Sequence, residues 1–322
     1  MSNIISAWAA LSLDERVRNQ SSSGGLFHEF SRSVLEEKGV VYGVAMSHDN
    51  RVAEYYRVSD YNELDKLLGS KYLQAKMGDV FLDVKDDLEN GAVVLFSGTG
   101  CTINGLKLFL GHEYENLYCV DVICHGTPSP LIWKKYIEYL EKENNSKLLS
   151  VNFRCKDNGW ERFGVFFKYT HSHFSFSPAS DDPYIQMFLR NLSLRPSCFE
   201  CQAKTIRLSD ITLGDFWGID KVAPDMNDGK GTSLVILRTN KGRELFGKIS
   251  GMITVKEVNY HDAIRENLAE YKSVPRTKER EMFFADSNSM SFEKLANKYI
   301  PLSFKKKVKK LLLQTPFKKI IK

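Results

Sequence analysis

The sequence predicts an α/β protein: a mixed sheet with flanking helices, a β-rich insertion and an irregular cysteine-bearing segment. Three observations predict it. Helical and strand-like periodicities alternate from about residue 26 to residue 143, the pattern turns β-rich between 148 and 176, and four cysteines fall where strands or helices give way to loops. The 322 residues, 43% hydrophobic and 12% aromatic, are enough to build a substantial core.

The run Ser21-Ser22-Ser23-Gly24-Gly25 reads as a serine cap for a helix over 26–37, which Gly39 ends. Residues 40–46 and 52–58 read as strands, and Ser59-Asp60 as the cap of a short helix to Leu68. Phe81, Val84 and Leu88 recur at helical spacing before Gly91, and the apolar run 92–96 has buried-strand character. A strand over 117–123 follows, and Ser129-Pro130 supplies a cap and a first-turn proline for a helix to residue 143. After the β-rich stretch, Asp182-Pro183 opens a helix to about residue 191, and the irregular cysteine segment runs on to Trp217. A strand over 233–238, a helix over 240–250 and a strand over 253–258 close the core. The expected organisation is one domain over 1–300, its core at 7–258, followed by a tail over 301–322.

Charge is unevenly placed. The net charge is +5, yet residues 305–322 hold eight lysines and no acid, so the remainder carries −3. A nucleic-acid-binding face, which wants basic residues spread over a folded surface, is therefore not expected. In the tail, Phe304, Val308, Leu311 and Leu312 recur at helical spacing between lysines, the pattern of a peripheral membrane contact. No apolar run reaches the roughly 20 residues needed to span a bilayer, and residues 1–11 lack the basic start of a secretory signal. The expected location is the cytoplasm, at the inner face of the membrane where the tail engages it. In that reducing compartment the six cysteines are thiols or metal ligands rather than a disulfide framework.

Cys101, Cys124, Cys198 and Cys201 can jointly hold a [4Fe–4S] cluster, a structural zinc, or nothing. A zinc set using Cys119 with Cys124 is disfavoured, because on an extended strand positions 119 and 124 point to opposite faces. Cys119 reads as core and Cys155 as a thiol with no partner. The loop Ser97-Gly98-Thr99 leads from a buried strand toward a helical stretch over 103–110, so its amides can receive a phosphate or simply make a tight turn. The same alternative holds for Ser22, Ser23, Gly24 and Gly25. Lys71 can place a positive charge near a flavin's N1 or be merely solvated, and His125 can donate a proton or be structural. Asp215 sits in Gly214-Asp215-Phe216-Trp217-Gly218, whose aromatic residues are core or flank a planar ring.

In series, Ser21-Ser22-Ser23-Gly24-Gly25-Leu26-Phe27, Gly69-Ser70-Lys71-Tyr72, Leu95-Phe96-Ser97-Gly98-Thr99, Cys124-His125-Gly126-Thr127-Pro128-Ser129 and Arg195-Pro196-Ser197-Cys198 resemble the deazaflavin-coenzyme hydrogenase/dehydrogenase β-subunit family, as does 209–218. The resemblance implies an oxidoreductase with FAD and one [4Fe–4S] cluster, moving electrons between an external carrier (ferredoxin or a reduced deazaflavin coenzyme) and an organic substrate. It implies Cys101, Cys124, Cys198 and Cys201 as cluster ligands, and Ser22, Ser23, Gly24, Gly25, Lys71, Tyr72, Ser97, Gly98, Thr99 and Asp215 as cofactor-binding, with His125 and Lys71 as the catalytic candidates. Two positions depart from the family loop, Gly100 and Thr102 standing where proline and glutamine are usual, which suggests a looser loop. The two-cluster ferredoxin segment of many members is expected to be lacking here. The short form with a basic tail looks like members linked to bacterial surface-polysaccharide synthesis, which implies a sugar nucleotide or lipid-linked sugar as substrate. A different class fits the same residues: a non-catalytic, zinc-stabilised accessory protein that binds a glycosyltransferase or lipid-linked glycan at the membrane.

Overall fold

The computed structural model describes residues 4–300, so the basic tail lies outside the described residues. Its strands are β1 (Ser6–Ser12), β2 (Val40–Met46), β3 (Ala53–Val58), β4 (Ala75–Lys76), β5 (Val94–Thr99) and β6 (Leu117–Val122), then β7 (Leu148–Cys155), β8 (Gly164–Tyr169), β9 (Phe174–Pro178), β10 (Ile211–Asp215), β11 (Ser233–Leu237) and β12 (Ile253–Val258). Nine of them form one mixed sheet in the order β12-β1-β11-β10-β6-β5-β2-β3-β4, and β7, β8 and β9 form a separate antiparallel sheet, the expected insertion.

Both faces of the large sheet are covered, which explains the unbroken apolar run of β5. Val41, Leu95, Val120 and Val235 bury one face against the helices Leu26–Glu36 and Asn240–Lys248. Val40, Val94, Phe96 and Cys119 bury the other against the helices Val80–Glu89 and Gly100–Leu110. Adjacent residues thus alternate between cores, as the two-residue period requires. A third core joins helix Pro130–Asn144 to the small sheet through Trp133, Tyr136, Phe153 and Phe167.

Several expectations are corrected. The sequence reading placed no strand before residue 40 or between 191 and 217, yet β1 and β10 lie inside the sheet; β1 is too rich in alanine and β10 too short to announce itself. Serine does not cap the first long helix. Gly25 does, at φ 90°, and the Ser22 and Ser23 hydroxyls bond to Ser70 and to the Thr232 carbonyl. The core does not close at residue 258, because Phe283, Phe292 and Leu295 of the helices Arg280–Ser289 and Phe292–Tyr299 are buried in the third core. The helix expected over 103–110 begins at Gly100, which puts Cys101 in its first turn.

Sheet direction positions the site. Strands β1, β10, β6, β5 and β2 run one way, with β11, β12, β3 and β4 opposed. The carboxyl ends of the first group therefore share one edge, where α/β sheets place ligands. Thr99, Cys124 and Asp215 stand there, and the turn 21–25 follows from the end of β1.

Candidate functional site

Two adjoining clusters occupy this edge. The first is a recess lined by all four predicted ligands, Cys101, Cys124, Cys198 and Cys201, together with Thr99, His125, Lys204 and Arg207. The thiols arrive on three kinds of element. Cys101 comes from the first turn of helix Gly100–Leu110, Cys124 from the loop after β6, and Cys198 and Cys201 from the 3₁₀ turn Pro196–Glu200 and its end. Cys101 is exposed, and the other three are half-buried.

Burial and mutual repulsion keep the thiols of the recess protonated unless something binds them. Burial pushes the Cys124 thiol up to about 12, an effect Lys204 opposes and the thiols of Cys101, Cys198 and Cys201 reinforce. Burial also raises Cys198, offset by the Thr127 N–H, which donates to its sulfur at 3.4 Å. Thiolates crowded in this way need countercharge, and Lys204 and Arg207 are the cations on the wall. Lys204 is held by donating to the Cys124 carbonyl at 2.6 Å and to the Ala269 carbonyl. Among the described residues no three His, Cys, Asp or Glu side chains are grouped to grip a single metal ion; the four thiols ring a space instead.

Beneath the recess lies a buried ion network. Arg207 donates to Asp121 at 2.9 Å and sits 3.3 Å from Glu270, which also pairs with Arg238. Asp121 accepts further bonds from Ser209 at 3.0 Å and Thr212 at 2.5 Å. This accounts for the departure at position 100. A Cβ on Gly100 would lie 2.8 Å from Asp121 Oδ2, so proline and the carboxylate compete for the same space. The loop is not slack, since the Thr99 hydroxyl lies 3.1 Å from Cys101 Sγ and 3.0 Å from the Thr102 hydroxyl.

The second cluster joins the turn 21–25 to Lys71, Tyr72 and Asp215. Ser22 Oγ accepts the Ser70 N–H at 2.8 Å, which brings the two predicted cofactor segments together. Asp215 pairs with Arg154 at 3.0 Å, and Arg154 also donates to the Ser22 carbonyl at 3.3 Å. Burial raises the Asp215 carboxyl, with Arg154 and Ser23 opposing it. Ser97, Gly98 and Thr99 stand at the same edge, and Thr99 belongs to the cysteine recess. His125 is in that recess too, its Nε2 2.7 Å from Asn191 Oδ1, and burial lowers its pKa so that it is neutral at pH 7. Cys119 is wholly buried in the sheet core and Cys155 is buried at the end of β7, so neither faces the recess.

Lys71 is half-buried, its ammonium donating to the Leu68 carbonyl at 2.7 Å and the Lys66 carbonyl at 3.3 Å. With no acid beside it, burial lowers its pKa from 10.5 to about 7. Between those values the unfolded chain holds one more proton than the native one, so this group's contribution to stability rises with pH from about 7 to 10.5. Lys71→Met is expected to abolish that rise, seen as a wild-type minus variant difference in urea midpoint that grows over this window; a constant difference would disprove it. Sequence reasoning missed Arg154, Lys156, Trp160, Lys204 and Arg207, for which the only local signal was an arginine and a lysine flanking Cys155 at the end of a strand.

An α/β sheet that gathers four thiols and a serine–glycine turn at one edge is a framework of the redox-cofactor class. The family model for the C terminus of the coenzyme F420 hydrogenase/dehydrogenase beta subunit matches residues 91–261, more than half of the sequence, and the chain belongs to this family. A chain of the F420-reducing [NiFe] hydrogenase complex from Methanosarcina barkeri is similar in fold, with a TM-score of 0.54 and 16% identity over 80% of this chain and 83% of that one. A comparison with curated proteins found no match. Among the described residues no helix is long and apolar enough to cross a membrane.

Proposed function

We propose that the protein is a flavin- and iron–sulfur-dependent oxidoreductase that moves electrons between an external carrier, ferredoxin or a reduced deazaflavin coenzyme, and an organic substrate. The observation that carries this reading is the convergence of Cys101, Cys124, Cys198 and Cys201, distant in sequence, on one recess. Four thiols ringing a space suit a body of several atoms in which each iron takes its own thiolate. Lys204 and Arg207 would offset the charge of such a cluster, and the Thr127 N–H would hold Cys198.

On the flavin side, FAD would supply two-electron chemistry to the substrate and one-electron exchange with the cluster. The chain's part is to bind and orient it through the turn 21–25, Tyr72 and Asp215, with Ser97, Gly98 and Thr99 facing the join between the clusters. Neutral His125, with Nε2–H donating to Asn191 Oδ1, would leave Nδ1 as an acceptor that can take a proton or a hydrogen bond in the recess. Exposed Cys101 is a wall of the recess and also of an open groove with Phe81, Phe109 and Arg195, a route by which an external carrier could approach. The substrate class proposed is a sugar nucleotide or lipid-linked sugar, and the basic tail would hold the enzyme at an anionic membrane.

Anaerobic purification with iron, sulfide and flavin analysis tests the reading. Yellow-brown protein that bleaches with dithionite is expected, whereas colourless protein carrying zinc would favour the accessory-protein alternative. For the tail, full-length protein is expected to pellet with anionic liposomes at low salt and release at high salt, while a chain ending at Leu302 stays in the supernatant; equal pelleting would refute the membrane contact.

A further inference from the structure

We propose that Arg154 is the positioning cation of the flavin-side cluster, and that the β7–β8 hairpin, through Arg154, Lys156 and Trp160, holds the 21–25 turn in the shape that receives the cofactor. The inference rests on the flavin reading above and assigns residues that the family motifs do not include.

Three hairpin donors converge on the carbonyls of and before this turn. The Ser22 carbonyl accepts from Arg154 Nη2 at 3.3 Å and Trp160 Nε1 at 3.2 Å, and Lys156 Nζ donates to the Arg18 carbonyl at 2.5 Å and the Ser23 carbonyl at 3.4 Å. Because a trans peptide points its C=O and N–H to opposite sides, tying the Ser22 carbonyl to the hairpin turns the Ser23 N–H away from it. The turn is thus preorganised by a sheet remote in sequence.

Arg154 joins the remaining segments as well. Its guanidinium pairs with Asp215 at 3.0 Å, lies 3.9 Å from the Phe163 ring centre and 5.5 Å from that of Trp217, and is near Tyr72. Trp217 stacks on Trp160 with ring centres 4.7 Å apart and planes at 12°. Arg154 is 4% exposed, yet its Nε is buried with no hydrogen-bond partner. An unpaired buried donor on a charged group is costly, and Nη2 is tied to the Ser22 carbonyl and to Asp215, so Arg154 is committed to positioning these groups rather than left to solvent. Lys71 is the poorer cation, its ammonium already bonded to two carbonyls, whereas a guanidinium stays charged at every working pH.

The test titrates FAD by fluorescence into full-length, anaerobically prepared protein and measures iron per chain alongside. R154M is expected to weaken FAD binding about tenfold or more, with iron unchanged. Because R154M strands the buried Asp215 carboxylate, the R154M/D215N double variant is compared with D215N alone, and must bind FAD more weakly than D215N does. Should R154M lose iron too, R154K decides, since it must keep iron and lose FAD affinity. Affinity of the double variant equal to that of D215N alone, wild-type affinity in R154M, or loss of iron in R154K overturns the proposal alone. Wild-type protein that binds no FAD overturns the flavin reading and this inference with it.

Discussion

Cys198→Ser is expected to remove most of the iron from the anaerobically purified protein, while Cys155→Ala leaves it in place. Serine keeps the volume but replaces a readily ionised, soft thiol with a hydroxyl that iron binds poorly. Cys198 is the thiol held by the Thr127 N–H and aimed into the recess, so its loss also frees that donor. Cys155 is buried at the end of β7, away from the recess. Cys119→Ala is expected to keep iron as well, at a modest cost in stability, because it deletes one buried sulfur from the sheet core. Iron per chain and visible absorbance check all three. Retention of iron by Cys198→Ser, or equal loss from Cys155→Ala, would remove the ligand assignment.

The largest stability effect is expected from Asp121→Ala. Asp121 is fully buried and receives Arg207, Ser209 and Thr212, so its removal leaves Arg207 with Glu270 alone and strands the Ser209 hydroxyl. Breaking a buried pair from one side costs about 3–5 kcal/mol. Guanidinium unfolding of wild type and variant measures it. The double change Asp121→Leu with Arg207→Met removes both charges and is expected to recover much of the loss; a single variant as stable as wild type would show that the network contributes little. Since Arg207 also faces the thiols, the variant is expected to hold iron less firmly.

Legibility differed between the two clusters. The four cysteines could be picked out because each sits at the end of a strand or helix, and parity alone removed Cys119, which the structure places in the core. The 21–25 turn was recognisable as a helix start, but its serines were read as caps. Gly25 takes the cap because its left-handed φ brings the chain into the helix, which frees Ser22 to reach Ser70, 48 residues away. No local pattern announces such a partner.

By itself the sequence determined the alternation of strands and helices, the β-rich insertion, the family, and the cysteines that stand at element ends. The elements and the cysteine positions follow from periodicity and spacing, which are local properties of the chain, whereas the family rests on the likeness of a series of motifs. Only the tertiary structure decided that β1 and β10 enter the large sheet, that the chain beyond residue 258 completes the third core, and that Lys204 and Arg207 stand beside the cysteines and Arg154 beside Asp215. A buried cation is tolerable only where distant carbonyls and carboxylates meet it, and the position of those partners is set by strand order and direction, which no stretch of sequence carries alone.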